Sequence, residues 1–150
     1  YRRMNLTGRD GVGISEHWAE NPTSYLGVTT PGFPNWFMVL GPKGPFTNLP
    51  TSIEVQVEWI AGAVDHARRE GIQRLEPTEE SEQEWSETCR ELAKDSLFGR
   101  VDSWIFGANV PGKKRSVLFY LGGLANYRQR MSQEAQSGYS GLTSPVSVDA

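Results

Sequence analysis

The sequence is poor in the residues that cross-link small proteins or bind metals. Its 150 residues include one cysteine, Cys89, and two histidines. One cysteine cannot form an internal disulfide, so we expect a protein of the reducing cytoplasm. His17 and His66 lie far apart without the spacing of metal ligands, which predicts ordinary surface histidines and no metal site.

Two further absences exclude classes of partner. No apolar run approaches the roughly 20 residues that a membrane-spanning helix needs, so we expect no membrane association. The 15 Lys and Arg residues are outnumbered by 18 Asp and Glu residues. No basic stripe interleaved with aromatic residues is present either, which argues against nucleic acid as a partner.

Short apolar runs bounded by turn residues and longer helical patterns together predict an α/β fold. The runs that read as strands are residues 25–29, 36–40, 72–75, 103–106 and 117–121. Residues 132–150 are rich in Ser and Gly, which predicts a loose tail.

The first predicted helix begins at a capping box formed by Thr51 and Glu54 and ends at Gly71. Its apolar residues recur at helical spacing, which predicts that one face packs inward. That face consists of Ile53, Val57, Ile60, Ala61 and Val64.

Two more helices are predicted. One opens at Pro77-Thr78-Glu79-Glu80 and ends at Gly99, and the other covers residues 124–131. The first has a predicted buried stripe of Trp85, Cys89, Leu92, Ala93 and Phe98. Cys89 on such a stripe is expected to be an inert buried thiol.

The stretch GPKGPFTNLPTSIE, residues 41–54, is the most unusual in the chain because prolines and glycines separate an apolar run from a helix. In open α/β sheets, ligands bind in the crevice where a strand ends and a helix begins. Free amides before the helix would meet an electron-rich ligand edge, and Phe46 and Leu49 would face a cavity. Alternatively, the stretch is a rigid connection whose Phe and Leu cap the core.

Two glycine-containing segments resemble nucleotide-binding motifs without satisfying them. Residues 107–114 nearly fit a P-loop, but Lys114 replaces the hydroxyl that binds magnesium and Pro111 lacks an amide. Gly11 and Gly13 lack the third glycine of a dinucleotide fingerprint, since Glu16 stands there. No catalytic dyad or triad is recognisable, so we expect no catalytic residue in this chain.

Three long strings carry a family resemblance. They are FPNWFMVLGPKGPFTNLPTSIEVQVEWI (33–60), EPTEESEQEWSETC (76–89) and SWIFGANVPGKKRSVLFYLGGLANYR (103–128). In this order and spacing the chain resembles the carboxyl-terminal part of a Baeyer-Villiger monooxygenase, most similar to the cyclohexanone monooxygenase group. The chain also starts at Tyr1 without a methionine and reads like a segment entered midway.

The resemblance implies an enzyme that uses FAD and NADPH with molecular oxygen. In this family a flavin peroxide converts a cyclic or linear ketone to an ester or lactone. The implied architecture is the carboxyl-terminal segment of a Rossmann-like FAD-binding domain, in a flavoprotein with two dinucleotide-binding domains. Residues 1–24 would end the NADP domain or linker, residues 25–131 would form the FAD-domain segment with the ketone pocket, and 132–150 would be the tail. The glycine fingerprints would lie in the amino-terminal remainder of the same enzyme, without which this part is expected to be inactive.

Site residues follow from the resemblance position by position. Thr47 and Asn48 match the loop beside the flavin ring, and Leu49 matches the pocket residue nearest its reactive edge. Trp104 matches an aromatic residue that contacts the nicotinamide cofactor. The implied substrate-binding residues are Phe46, Thr47, Leu49, Phe119 and Leu121.

Two other functions remain open at this point. One is a stand-alone α/β module that binds a small apolar molecule without redox activity. The other is a flavin monooxygenase that acts on nitrogen or sulfur. Composition does not separate either from a ketone monooxygenase, and only the three matched strings favour the ketone enzyme.

Overall fold

The structure is a computed structural model that describes residues 4–94, 96 and 116–142. A short 3-10 turn, Arg9–Gly11, precedes the first helix. The helices are α1 (Ile14–His17), α2 (Leu49–Glu70), α3 (Glu79–Lys94) and α4 (Gly123–Gln136). Helices α2 and α4 pack against each other. Within the described ranges, no helix is long and apolar enough to cross a membrane.

Helix α2 begins three residues before the predicted position. Asn48 is its N-cap, and its side-chain Oδ1 accepts a hydrogen bond from the Thr51 N–H at 3.4 Å. Pro50 is tolerated in the first turn, where no intrahelical donor is needed. The predicted capping box of Thr51 and Glu54 is therefore wrong. Gly71 ends the helix as predicted, in the left-handed conformation with φ 69°.

The buried face of α2 is not the predicted one. Ile53 and Val57 are 36% and 49% exposed. The side of the helix that packs inward carries Ser52, Val55, Gln56, Trp59, Ala63 and Ala67. Trp59 explains why this face packs inward. Its ring lies edge-on to the ring of Tyr139, with the centroids 5.2 Å apart, and belongs to the main core.

Helices α3 and α4 confirm most of the predicted pattern. Trp85, Cys89 and Ala93 are buried on α3, whereas Leu92 is 36% exposed. Phe98 lies outside the described residues. Helix α4 continues five residues past its predicted end at Met131.

The chain after α4 packs into the core as far as the structure describes it. The aromatic ring of Tyr139 and the side chain of Leu142 belong to the main core and are 7% and 5% exposed. The expectation of a loose tail is thus wrong for residues 132–142.

The described ranges contain isolated bridges but no strand, so the strands predicted there are wrong. Residues 25–29 form a tight turn, because Leu26 and Gly27 adopt positive φ values of 55° and 75°. The turn brings the Tyr25 N–H to the Thr29 carbonyl at 2.7 Å.

The other predicted strands fail for similar local reasons. Positive φ values at Asn35 and Leu40, 57° and 55°, bound residues 36–40 and prevent an extended run. Residues 72–75 are bound by Asn35 rather than by a neighbouring strand: its N–H donates to the Leu75 carbonyl, and its Oδ1 accepts from the Leu75 N–H. Residues 117–121 make one parallel bridge, between Tyr120 and Pro45. The predicted strand 103–106 lies outside the described residues.

Candidate functional site

The first half of the proline-rich loop, residues 41–46, is fastened by main-chain hydrogen bonds to residues 118–120. The Lys43 N–H donates to the Leu118 carbonyl at 2.7 Å. The Tyr120 N–H donates to the Gly44 carbonyl, and the Phe46 N–H donates to the Tyr120 carbonyl, both at 2.9 Å. This ladder-like pairing fixes where the loop leaves the core.

Lys43 strengthens the same attachment with its side chain. Only 6% of Lys43 is exposed, and its Nζ donates to the Val117 carbonyl at 3.0 Å. Its own carbonyl accepts a hydrogen bond from Trp85 Nε1 at 3.2 Å. Burial lowers the pKa of the Lys43 ammonium. Sequence reasoning missed this residue, because a lysine between two loop glycines reads as solvated.

The loop also lies directly against the turn at residues 25–29. The Gly41 N–H donates to the Gly27 carbonyl at 3.0 Å. A Cβ added to Gly27 would lie 2.5 Å from the Gly44 Cα. Two backbones this close require glycine, which gives the glycines at 27 and 44 a packing role.

A buried polar chain connects the start of the loop to α4. Gln56 Oε1 accepts from the Leu40 N–H at 2.8 Å, and Gln56 Nε2 donates to the Tyr127 hydroxyl at 3.0 Å. That hydroxyl donates to the Leu26 carbonyl at 2.6 Å. Both side chains are fully buried, so each hydrogen bond satisfies a group that water cannot reach. A glutamine inside the helix that follows the loop was the available signal, but sequence reasoning overlooked it.

The Phe46 side chain and the second half of the loop, residues 47–49, lie on the surface. Phe46 is 42% exposed and Leu49 is 56% exposed. The ring of Phe46 lies against the ring of Phe119, with their centroids 5.2 Å apart. The structure thus brings together two of the residues predicted to line the substrate pocket.

The main chain of residues 47–49 offers unused donors. Within the part of the chain that the structure describes, no group accepts a hydrogen bond from the N–H of Thr47, Asn48 or Leu49. These N–H groups precede or open α2, where the helix dipole favours an electron-rich ligand. The Asn48 side chain itself is occupied, since it caps the helix.

Two of the predicted pocket residues, Phe119 and Leu121, also contact helix α3. Phe119 and Leu121 both pack against the buried Ala93 of α3 in a small apolar cluster. Trp104 lies outside the described residues, as does the segment 107–114.

No described cavity encloses this surface. A cleft of about 400 Å³ lies between α2 and α4, lined by Trp59, Arg128 and Tyr139 among others. A second, of about 280 Å³, lies beside Asn35 and Phe37. Neither is lined by residues 46–49.

Lys43 and Cys89 are buried titratable groups that interact electrostatically. Burial raises the pKa of the Cys89 thiol to about 12, which agrees with the inert thiol predicted from the sequence. Among the residues that the structure describes, no cluster of three potential metal ligands occurs. The arrangement can bind and orient a ligand through apolar contacts and main-chain donors.

Comparisons with known proteins show what the whole chain is similar to. No family profile matches the chain. A Baeyer-Villiger monooxygenase from Pseudooceanicola batsensis is 52% identical over 95% of the chain. A phenazine N-monooxygenase from Lysobacter antibioticus is 50% identical over the same share. The chain spans 26% of the length of each of these relatives.

A solved structure gives the same answer for the fold. The cyclohexanone monooxygenase from Rhodococcus sp. Phi1, bound to NADP+, is 61% identical and superposes with a TM-score of 0.90. The superposition covers 95% of this chain and 27% of that one.

These matches define the chain as a monooxygenase sequence. More particularly, it belongs with the Baeyer-Villiger monooxygenases, of which it spans about a quarter, and the resemblance inferred from the sequence is confirmed.

Proposed function

We propose that the chain is the carboxyl-terminal part of a monooxygenase that uses FAD, NADPH and molecular oxygen to convert ketones to esters or lactones. The observation that carries this proposal is the divided loop. Residues 41–46 are fastened to the core, whereas the N–H groups of residues 47–49 have no acceptor within the described part of the chain and the side chains of Phe46 and Leu49 are exposed. The homology to Baeyer-Villiger monooxygenases supplies the chemistry that such a surface would serve.

The described residues fit the edge of a flavin ring. The flat surface of the flavin ring is apolar, which matches the Leu49 side chain. The carbonyl edge of the ring accepts hydrogen bonds, which matches the N–H groups of Thr47 and Asn48. FAD, when bound, supplies the redox chemistry and the activation of oxygen. The residues of this chain would hold and orient the ring and exclude water from it.

The substrate would lie beside the same surface. Phe46 and Phe119 already form one apolar wall, and Thr47, Leu49 and Leu121 would extend it around a cyclic or linear ketone. We retain Trp104 as the proposed contact to the nicotinamide of NADP.

The larger architecture belongs to this proposal as well. Residues 25–131 would complete a Rossmann-like FAD-binding domain whose other segment lies in the amino-terminal remainder of the enzyme. Residues 1–24 would end the NADP domain or its linker. The single cysteine supports a cytoplasmic enzyme.

A second substrate class is favoured by one comparison. The relative named phenazine N-monooxygenase is 50% identical, almost as similar as the relative named Baeyer-Villiger monooxygenase. Oxygen transfer to an aromatic nitrogen is therefore our second candidate. The stand-alone binding module finds no support, since the matched proteins are monooxygenases about four times the chain's length.

The test uses the complete polypeptide that contains this chain. We expect a yellow protein that consumes NADPH in proportion to added cyclohexanone and forms the lactone. NADPH consumption and product formation with phenazine but not with ketones would select the nitrogen oxidation instead. A colourless protein without NADPH oxidation would refute both.

Two substitutions test the pocket assignment. Leu49→Ala and Phe119→Ala are expected to change the ratio of kcat/KM between small and large ketones by about tenfold, with FAD retained. Leu92→Ala is the matched control, because Leu92 is partly exposed on α3 and is not among the residues assigned to the pocket. Unchanged ratios in both pocket variants would show that the assigned residues do not contact the substrate.

A further inference from the structure

Lys43 has a backbone conformation and an environment that are both unfavourable for a lysine. Its φ is 60°, in the left-handed region that residues other than glycine, asparagine and aspartate rarely enter. Only 6% of the residue is exposed, although an ammonium group is costly to bury. Strained residues of this kind persist only where surrounding contacts hold them, and they cluster at ligand sites. The contacts of Lys43 therefore indicate what the residue does.

These contacts join three segments of the chain. The Lys43 Nζ donates to the Val117 carbonyl at 3.0 Å, and its main-chain N–H donates to the Leu118 carbonyl at 2.7 Å. The Lys43 carbonyl accepts a hydrogen bond from Trp85 Nε1 of α3 at 3.2 Å. A hydrogen bond from a charged donor is stronger than one between neutral groups. The ammonium bond to Val117 therefore offsets the strain of the left-handed backbone.

Two of the joined segments carry the aromatic side chains of the proposed ketone pocket. Phe46 follows Lys43 by three residues, and Phe119 follows Val117 by two. The centroids of the two rings are 5.2 Å apart. Main-chain pairing with Tyr120 holds the segments together at Phe46. The ammonium bond to Val117 lies at the other end of this pairing, so it restrains how far the two segments can separate.

We propose that Lys43 is a positioning residue that sets the spacing of Phe46 and Phe119 and thereby restricts the size of the ketone accepted beside them. The inference rests on the proposed function, in which these two rings form a wall of the ketone pocket. Lys43 is buried and its ammonium group is bonded to the Val117 carbonyl. It therefore acts through the two rings and not by contact with the ketone.

The substitution Lys43→Asn separates this role from stability. Asparagine tolerates the left-handed backbone better than lysine does, so the variant should fold, but its shorter side chain lacks the ammonium bond to Val117. Lys94→Asn makes the same change at an exposed position of α3. Val55→Ala destabilises the core without removing a contact of Lys43. All three variants are made in the complete polypeptide that contains this chain.

The first measurement is the spacing of the two rings in crystal structures of the wild type and of Lys43→Asn. We expect the distance between the ring centroids of Phe46 and Phe119 to increase by at least about 1 Å, a shift large enough to alter catalysis. An unchanged distance in Lys43→Asn would overturn the inference, whatever the activity of the protein.

The second measurement is kcat/KM for cyclohexanone and for a phenyl-substituted cyclohexanone. In Lys43→Asn we expect the preference for the larger ketone to rise about fivefold, mainly through KM, because no group that contacts the reacting atoms has changed. Lys94→Asn and Val55→Ala should keep the wild-type preference. An unchanged preference in Lys43→Asn would overturn the size-restricting role. An equal rise in Val55→Ala would also overturn it, by showing that loss of stability alone is sufficient.

Failure of the proposed function would be seen separately. A wild type that binds no FAD and consumes no NADPH with ketones refutes that function and the size-restricting role together. Separated rings in Lys43→Asn would still assign the spacing of Phe46 and Phe119 to Lys43. A working ketone monooxygenase whose rings keep their spacing in Lys43→Asn retains the function and loses the inference.

Discussion

The two halves of the proline-rich loop are built in opposite ways. Residues 41–46 are held by main-chain hydrogen bonds to residues 118–120 and by the buried Lys43. Residues 47–49 keep their N–H groups free within the described part of the chain, and Leu49 is 56% exposed. The anchored half fixes the position, and the open half presents the groups proposed to contact a ligand.

This division explains how a loop can serve as a precise binding surface. Free donors are useful only when they stay in one place, because ordering them on binding would cost conformational entropy. The anchored half has already fixed the backbone on one side, and α2, capped by Asn48, fixes it on the other. Stability and binding should therefore respond to different substitutions.

The largest effect on stability is expected where the backbone of Gly27 contacts the anchored half at Gly44. Gly27→Ala should lower the free energy of unfolding by about 3 kcal/mol, because it combines a positive φ with a clash against the Gly44 backbone. Gly71→Ala is the control, since Gly71 also has positive φ but no atom within 4 Å of an added Cβ. It should cost only about 1 kcal/mol, as measured by chemical denaturation. Equal costs would show that the close approach contributes nothing.

The next effect concerns the buried polar chain. Tyr127→Phe removes the hydroxyl that links Gln56 to the Leu26 carbonyl, so two buried groups lose a partner. We expect a loss of about 2 kcal/mol in the free energy of unfolding. Tyr139→Phe, in the same core but outside this chain of hydrogen bonds, should cost clearly less. The anchoring role of Tyr127 would be contradicted by similar losses in both variants.

Because of Lys43, the contribution of the anchored half to the free energy of unfolding depends on pH. Its folded-state pKa is lowered, so with rising pH the folded chain releases the proton before the unfolded chain does. The unfolded state then binds more protons, and stability rises between the lowered pKa and the ordinary one. Relative to Lys43→Met, the wild type should gain stability as the pH rises toward the ordinary pKa of lysine, about 10.4. Lys94→Met, at an exposed position, should show the same rise in stability as the wild type. If the stability difference between the wild type and Lys43→Met did not change with pH, the lowered pKa of Lys43 would be refuted.

The smallest stability effect is expected in the open half. Leu49→Ala should change the free energy of unfolding by no more than about 0.5 kcal/mol, because the side chain is mostly exposed. Val55→Ala, six residues later on the buried face of α2, should cost about 1–2 kcal/mol. If Leu49→Ala proved as costly as Val55→Ala, Leu49 would be part of the core rather than of a binding surface.

The sequence predicted the helices well because their signals are local. Residues within a turn or two along the chain indicate the helix end at Gly71, the acidic start of α3 and the buried positions of Trp85 and Cys89. The strands failed because positive φ values at Leu26, Asn35 and Leu40 interrupt runs that composition alone reads as extended. An apolar run indicates burial, but it does not reveal the backbone angles.

The inward face of α2 failed for a different reason. The buried row with Trp59 and the exposed row with Ile53 and Val57 both satisfy helical spacing. Periodicity alone therefore does not indicate which row packs inward. Of the site, Phe46 and Leu49 were expected to face a cavity and are exposed, and their assignment with Phe119 to a ligand pocket stays a prediction. The anchoring roles of Lys43 and Gln56 were not, since both depend on partners more than fifteen residues away.

The most direct test of the divided loop is amide hydrogen exchange in the complete polypeptide, with FAD bound and after FAD has been removed. The account predicts that the amides of residues 47–49 exchange at least about tenfold more slowly with FAD bound, while those of Lys43, Phe46 and Tyr120 stay equally protected in both states. Equal exchange at residues 47–49 in the two states would contradict the claim that this half of the loop contacts the flavin.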